Sequence, residues 1–228
     1  MPLRAIAYPK SPSIQSLPGE SLASSPPLLL VLLHGWGANA ADVASMAPYL
    51  VPAENPNALQ MLFPDAPFPH PMPGGRMWYG IPNDYIFGQP PAEPHQQELI
   101  ASRTQLIEWL QKLGTEYGIP LSHTILAGFS QGGAMALDVG TGLPLAGLMI
   151  LSGYLHDDLQ GRPSPLCPVL LVHGRHDPVV PLTAAHQSRD RLQALGATVQ
   201  YHELDMGHDI PLTVLELMQT FIGNCLKS

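Results

Sequence analysis

Three residues in this chain have the types and the order needed to break an acyl bond. Ser130 lies in Gly128-Phe129-Ser130-Gln131-Gly132, directly after the apolar run HTILA and before QGGAMALDVG, which can begin a helix. A strand, a sharp turn and a helix around G-x-S-x-G form a nucleophile elbow. The turn strains the serine backbone, and the flanking glycines let strand and helix approach without Cβ clashes. The hydroxyl then projects at a helix N-terminus, where the dipole favours developing negative charge. The bland alternative is a serine N-cap in a tight loop, and the preceding apolar strand argues against it. A serine hydroxyl attacks well only when a base takes its proton and an acid orients the base. On such a scaffold the acid and then the histidine follow the serine, each on a loop after a strand. Asp177 in HGRHDPVVP and His208 in DMGHDI meet both conditions.

Other carboxylates compete for the acid's place. Asp138 falls inside the helix after the serine, and Asp157 and Asp158 follow a different apolar run, so these three read as solvated or capping groups. Asp205 and Asp209 flank His208 and could cap the last helix. Among the histidines, His173 and His176 with Asp177 superficially resemble a metal cluster. No third ligand stands at a known spacing, so no metal or other cofactor is expected. His95 and His123 read as surface or capping groups at element starts, and His70 as a solvent-exposed loop residue. Acyl transfer also needs donors for the tetrahedral oxygen. The backbone N–H of Gln131 should be one. The glycines around Trp36 in His34-Gly35-Trp36-Gly37 suit its N–H as the other, and Asn39 can cap the helix that follows.

These groups need a frame. Short apolar runs at 28–33, 58–63, 123–127, 145–151, 168–172 and 198–204 are mostly apolar on both faces, as buried parallel strands are. A shorter strand, LRAIAY, precedes them, and a Ser- and Pro-rich surface loop at 9–27 follows it. Helix-length segments alternate with the strands near 40–50, 131–141, 183–195 and 211–226. The clearest spans 95–117, with Leu99, Ile100, Arg103, Leu106, Ile107, Leu110 and Leu113 along one stripe. The alternation predicts an α/β fold, a mostly parallel central sheet with helices on both faces, and residues 1–228 as a single domain. Residues 64–94 break the rhythm with nine prolines and the aromatics Phe68, Trp78, Tyr79, Tyr85 and Phe87. A loop this long and this aromatic reads as an ordered cover over the active site. Phe68, Trp78, Tyr79 and Phe87, together with Phe63, are expected to give it an apolar lining that binds acyl chains of short to medium length.

Composition narrows the partners. A net charge of −8 with ten scattered basic residues argues against nucleic acid, which needs clustered Lys and Arg. The longest apolar run is too short to cross a bilayer, so no stable membrane insertion is expected. Two cysteines, Cys167 and Cys225, fit a reducing compartment, and no secretory leader is evident, so a cytoplasmic protein is expected. A small-molecule ester or acyl thioester is the expected partner, and a homodimer is left open.

In order along the chain, LHGWGAN, PDAP at 64–67, MWYG at 77–80, GFSQGG, GRHDPVVP and MGHDI resemble the phospholipase/carboxylesterase family of α/β-hydrolases, which includes acyl-protein thioesterases. The resemblance runs from about residue 28 to the C-terminus. It implies the α/β-hydrolase fold, Ser130, Asp177 and His208 as a triad, Trp36 and Gln131 as oxyanion donors, and hydrolysis of carboxylic esters. Acyl-protein thioesterase and lysophospholipase activities are the alternatives it carries. A ligand receptor on the same scaffold is disfavoured because all three triad positions are filled. PHPMPGGRMWYG follows the family pattern only loosely, which leaves the substrate open.

Overall fold

The computed structural model describes residues 3–9, 27–157, 159 and 167–227. Most of the expected Ser- and Pro-rich loop, and Asp158, lie outside the described residues. In chain order the elements are β1 (Ala5–Tyr8), β2 (Leu28–Leu33), α1 (Ala40–Ala44), α2 (Ala47–Leu50), β3 (Leu59–Pro64), β4 (Phe68–Pro69), β5 (Arg76–Met77), α3 (His95–Tyr117), β6 (Thr124–Phe129), α4 (Gln131–Gly140), β7 (Gly147–Leu151), β8 (Val169–Gly174), α5 (Leu182–Ala194), β9 (Val199–Leu204) and α6 (Leu212–Cys225). Among the described residues, seven strands form one sheet in the order β1-β3-β2-β6-β7-β8-β9, and only β1 runs antiparallel to its neighbour.

The buried strands explain why the helices cover both faces. All six residues of β2 are buried. Leu29, Val31 and Leu33 face a core shared with α3, α4 and α5, while Leu28, Leu30 and Leu32 face one shared with α1, α2 and α6. Each such leucine contributes roughly 1.5–3 kcal/mol when taken out of water. A strand apolar on alternate residues only could not serve both layers.

Local departures from expectation have identifiable causes. The segment near 40–50 is two short helices, with Pro48 in the first turn of the second, where its missing N–H costs nothing. Asn39 caps the first of them by accepting from Ala41 N and Asp42 N, as expected. On α3 the buried stripe is Leu99, Ser102, Leu106, Trp109, Leu110 and Leu113, and Ile100 is half exposed. Residues 64–94 contain a two-stranded antiparallel ribbon, β4 with β5. Among the described residues, no helix is long and apolar enough to cross a membrane.

From β2 the chain crosses to β3 on one side, and later to β6 and then β7, β8 and β9 on the other. The strand order therefore reverses between β2 and β6, with the connections leaving these two strands toward opposite edges of the sheet. Crevices at such points, beyond the strand C-termini, are where open α/β sheets bind ligands. Trp36 follows β2, Ser130 follows β6, Asp177 follows β8 and His208 follows β9.

Candidate active site

Ser130 joins β6 to α4 with φ 54° and ψ −120°, a backbone conformation that costs a non-glycine residue of order 1–3 kcal/mol. Its neighbours over-determine that geometry. Ser130 N donates to Leu151 O at 2.8 Å, and Ala134 N donates to Ser130 O at 3.0 Å. The flanking glycines are a steric requirement. A Cβ on Gly128 would run into the Gly132 carbonyl, and one on Gly132 into the carbonyls of Leu33 and His34. The tight turn leaves the serine nearly buried yet accessible, at 8% exposure.

The histidine and the acid meet this hydroxyl. His208 Nε2 lies 2.9 Å from Ser130 Oγ, and His208 Nδ1 lies 2.7 Å from Asp177 Oδ2. A carboxylate only accepts, so Nδ1 carries the proton and Nε2 is free to accept from the serine. The other oxygen, Asp177 Oδ1, accepts from Val179 N and Val180 N, each at 2.8 Å, which fixes the plane of the carboxylate. The Phe129 ring packs against the His208 imidazole at 4.8 Å between centroids. A second histidine touches the acid. His173 Nε2 donates to Val180 O at 2.9 Å and lies 3.5 Å from Asp177 Oδ2. Burial holds His173 below the usual histidine range, so it stands beside Asp177 as a neutral ring.

Gly35 presses directly on the serine; a Cβ there would sit 3.3 Å from Ser130 Cβ. Trp36 follows, a residue 45% exposed whose indole is edge-on to His70 at 4.1 Å. His34 is fully buried and lies below the ordinary histidine range, because burial outweighs the carbonyl it donates to. Its Nδ1 donates to Gly35 O at 2.8 Å, and its Nε2 accepts from Ala66 N at 3.0 Å. Gln131 opens α4, where the first N–H groups of a helix have no partner within it.

Two of the four expected substrate-binding rings are withdrawn from any surface a substrate could touch. Trp78 and Tyr79 have 0% exposure and belong to the core, and Phe63, on β3, is buried in the core on the opposite face of the sheet. The cause is polar as well as apolar: the indole N–H of Trp78 and the hydroxyl of Tyr79 both meet buried partners. Phe68 lines a cavity of about 440 Å³ with Leu3, Arg4 and Arg76, and Phe87 lines one of about 530 Å³ with Leu155, Gln187 and Arg191. Neither cavity is lined by Ser130 or His208.

Several polar residues also depart from expectation. Asp138 is buried, not solvated. It accepts from Arg103 Nε at 2.7 Å and lies 3.4 Å from His156 Nδ1. Burial alone would raise its pKa, but the hydrogen bonds and charges of His156 and Arg103 outweigh that and hold it well below the carboxylate range. Asp157 bonds locally to Leu159 N. Asp205 pairs with Arg175 at 2.8 Å, and α6 starts after Pro211 with no side-chain cap, so neither Asp205 nor Asp209 caps it. His70 is half buried, and its Nδ1 accepts from Met72 N. The side chain of Gln131 and the roles of His34, Phe129 and His173 escaped sequence reasoning. The only sequence signal for them is their adjacency to the motif residues.

Comparison with known proteins identifies the family and the fold. The family model for Phospholipase/Carboxylesterase matches residues 20–226. Acyl-protein thioesterase 1 of Neurospora crassa is 29% identical, over 89% of this chain and 92% of its own length. Esterase YpfH of Escherichia coli is 29% identical, over 80% and 76% respectively. Among solved structures, esterase PE8 superposes with a TM-score of 0.82 at 24% identity, covering 99% of this chain and all of its own. A Bacillus cereus carboxylesterase superposes with a TM-score of 0.74 at 18% identity, covering 98% and 94%. The fold is that of the α/β-hydrolases, and the chain belongs to the phospholipase/carboxylesterase family of hydrolytic enzymes.

Proposed function

We propose that this chain is a cytoplasmic serine carboxylesterase that hydrolyses small carboxylic esters through an acyl-enzyme. The observation that carries the reading is the chain of hydrogen bonds from Asp177 through His208 to a hydroxyl on a strained elbow. Ser130 Oγ attacks the substrate carbonyl as His208 Nε2 takes its proton. Asp177 keeps the Nδ1–H tautomer and stabilises the imidazolium. The N–H groups of Trp36 and Gln131 receive the oxyanion, His208 returns its proton to the leaving alcohol, and water repeats the cycle on the acyl-enzyme. With Trp78 and Tyr79 buried, the exposed indole of Trp36 is the apolar surface assigned to the acyl chain.

Acyl-protein thioesterase activity is the second reading, favoured by the name carried by the Neurospora relative. Both readings share the same acyl-enzyme and differ only in the leaving group. Purified enzyme assayed against matched esters, thioesters and lysophospholipids, with Ser130→Ala as blank, separates them. A kcat/KM for thioesters far above that for simple esters would replace the first reading with the second. Equal turnover by wild type and Ser130→Ala would remove both.

A further inference from the structure

The MWYG stretch, buried where a substrate-lining role would need exposure, has partners that point to a different task. Trp78 Nε1 donates to His34 O at 3.0 Å. Trp78 N donates to Gln131 Oε1 at 2.9 Å, and Gln131 Nε2 donates to Tyr79 O at 2.7 Å. Two residues earlier, Arg76 O accepts from Gly37 N at 2.9 Å, and Arg76 N donates to Ala38 O at 2.8 Å. Residues 76–79 thus grip both sides of the crevice at once. On one side they hold His34, Gly37 and Ala38, the residues that bracket Trp36. On the other they hold the side chain of Gln131.

The strap is itself immobilised. Ser102 Oγ of α3 donates to Trp78 O. Tyr79 Oη lies 2.6 Å from Tyr154 Oη and 2.8 Å from His156 Nε2, and His156 leads on to Asp138 and Arg103. The indole N–H and both backbone polar groups of Trp78, and the carbonyl and hydroxyl of Tyr79, are therefore committed to partners in the buried interior, where an unmade bond is costly.

We propose that Trp78 is a positioning residue: with Tyr79 it ties Gln131 to the His34–Ala38 loop and sets the separation and aim of the two N–H groups that receive the oxyanion. The inference rests on the serine-hydrolase reading above and extends it to residues that touch no substrate. Such donors act only when they point at where charge develops, and loss of one costs about 10²–10³ in kcat. Misaligning the pair without removing either should cost part of that.

The test is Trp78→Phe, which keeps a buried ring but removes the donor to His34 O. Gln131→Met, which keeps the backbone N–H but loses both side-chain bonds, is the second variant should the first fail to fold. For a short-chain p-nitrophenyl ester, kcat should fall about 10- to 100-fold in either variant, with KM changed less than about threefold. Affinity for a trifluoromethyl ketone, whose adduct carries the oxyanion, should fall by the same factor as kcat/KM. A folded variant with wild-type kcat and ketone affinity, altered only in melting temperature, would show that the strap is merely structural. If the wild type itself neither turns over esters nor binds the ketone, the serine-hydrolase reading fails and takes this one with it.

Discussion

Replacing Asp177 by asparagine should cost catalysis far more than stability, and the structure says why the amide cannot adapt. The carboxylate is fully buried, with Oδ1 receiving two backbone N–H groups and Oδ2 receiving His208 Nδ1. In Asp177→Asn the amide oxygen must stay on the Val179 and Val180 side. Turning it would set its NH₂ against two N–H donors, at about 1–3 kcal/mol for each bond left unmade. The NH₂ therefore faces His208 Nδ1 and makes it an acceptor. The proton moves to Nε2, which can then no longer take one from Ser130. In serine proteases with the same arrangement this tautomer error lowers kcat about 10⁴-fold. We expect a loss of about 10³–10⁴, equivalent to roughly 4–5.5 kcal/mol of barrier. The assay is kcat for a p-nitrophenyl ester beside a thermal melt, with Asp205→Asn as the exposed control. Turnover within tenfold of wild type, in a folded variant, would refute the assignment of Asp177.

Two other predictions concern the frame. Gly132→Ala drives a methyl into the Leu33 and His34 carbonyls, so urea denaturation should show a loss of about 1–3 kcal/mol; an unchanged midpoint would mean that the elbow has slack. His34 and His173 are held below the histidine range by burial, so the unfolded chain, with its histidines near 6.5, binds protons first. Their contribution is complete above about pH 6.5 and is lost as pH falls, at up to about 1.4 kcal/mol per pH unit for each; denaturation midpoints that stay flat from pH 7 to 5 would contradict it.

The parts of the fold that were legible in the sequence are those where one local signal suffices. LLLVLL and HTILA are apolar on both faces, as buried parallel strands are, and G-F-S-Q-G after such a strand carries glycines where the turn brings carbonyls close. The order of serine, acid and histidine placed the three loops at one sheet edge. What composition cannot give is direction. The aromatics of residues 64–94 signalled an ordered segment, but not that Trp78 and Tyr79 point inward, because that depends on hydrogen-bond partners at His34, Tyr154 and His156, far away in sequence. Asp138 read as solvated for the same reason. Its partners Arg103 and His156 come from another helix and another loop. The position of Gln131 after the serine points to its backbone N–H, while its side chain's grip on Trp78 and Tyr79 has no local signature.

The activation of Ser130 is tested most directly by a fluorophosphonate probe, which reacts with a serine only where a base and an oxyanion site assist it. Intact-protein and peptide mass spectrometry of the wild type should show stoichiometric labelling confined to the peptide containing Ser130, with none in Ser130→Ala and little in His208→Ala. An unlabelled wild type, or a label that persists in Ser130→Ala, would contradict the acyl-enzyme mechanism at its first step.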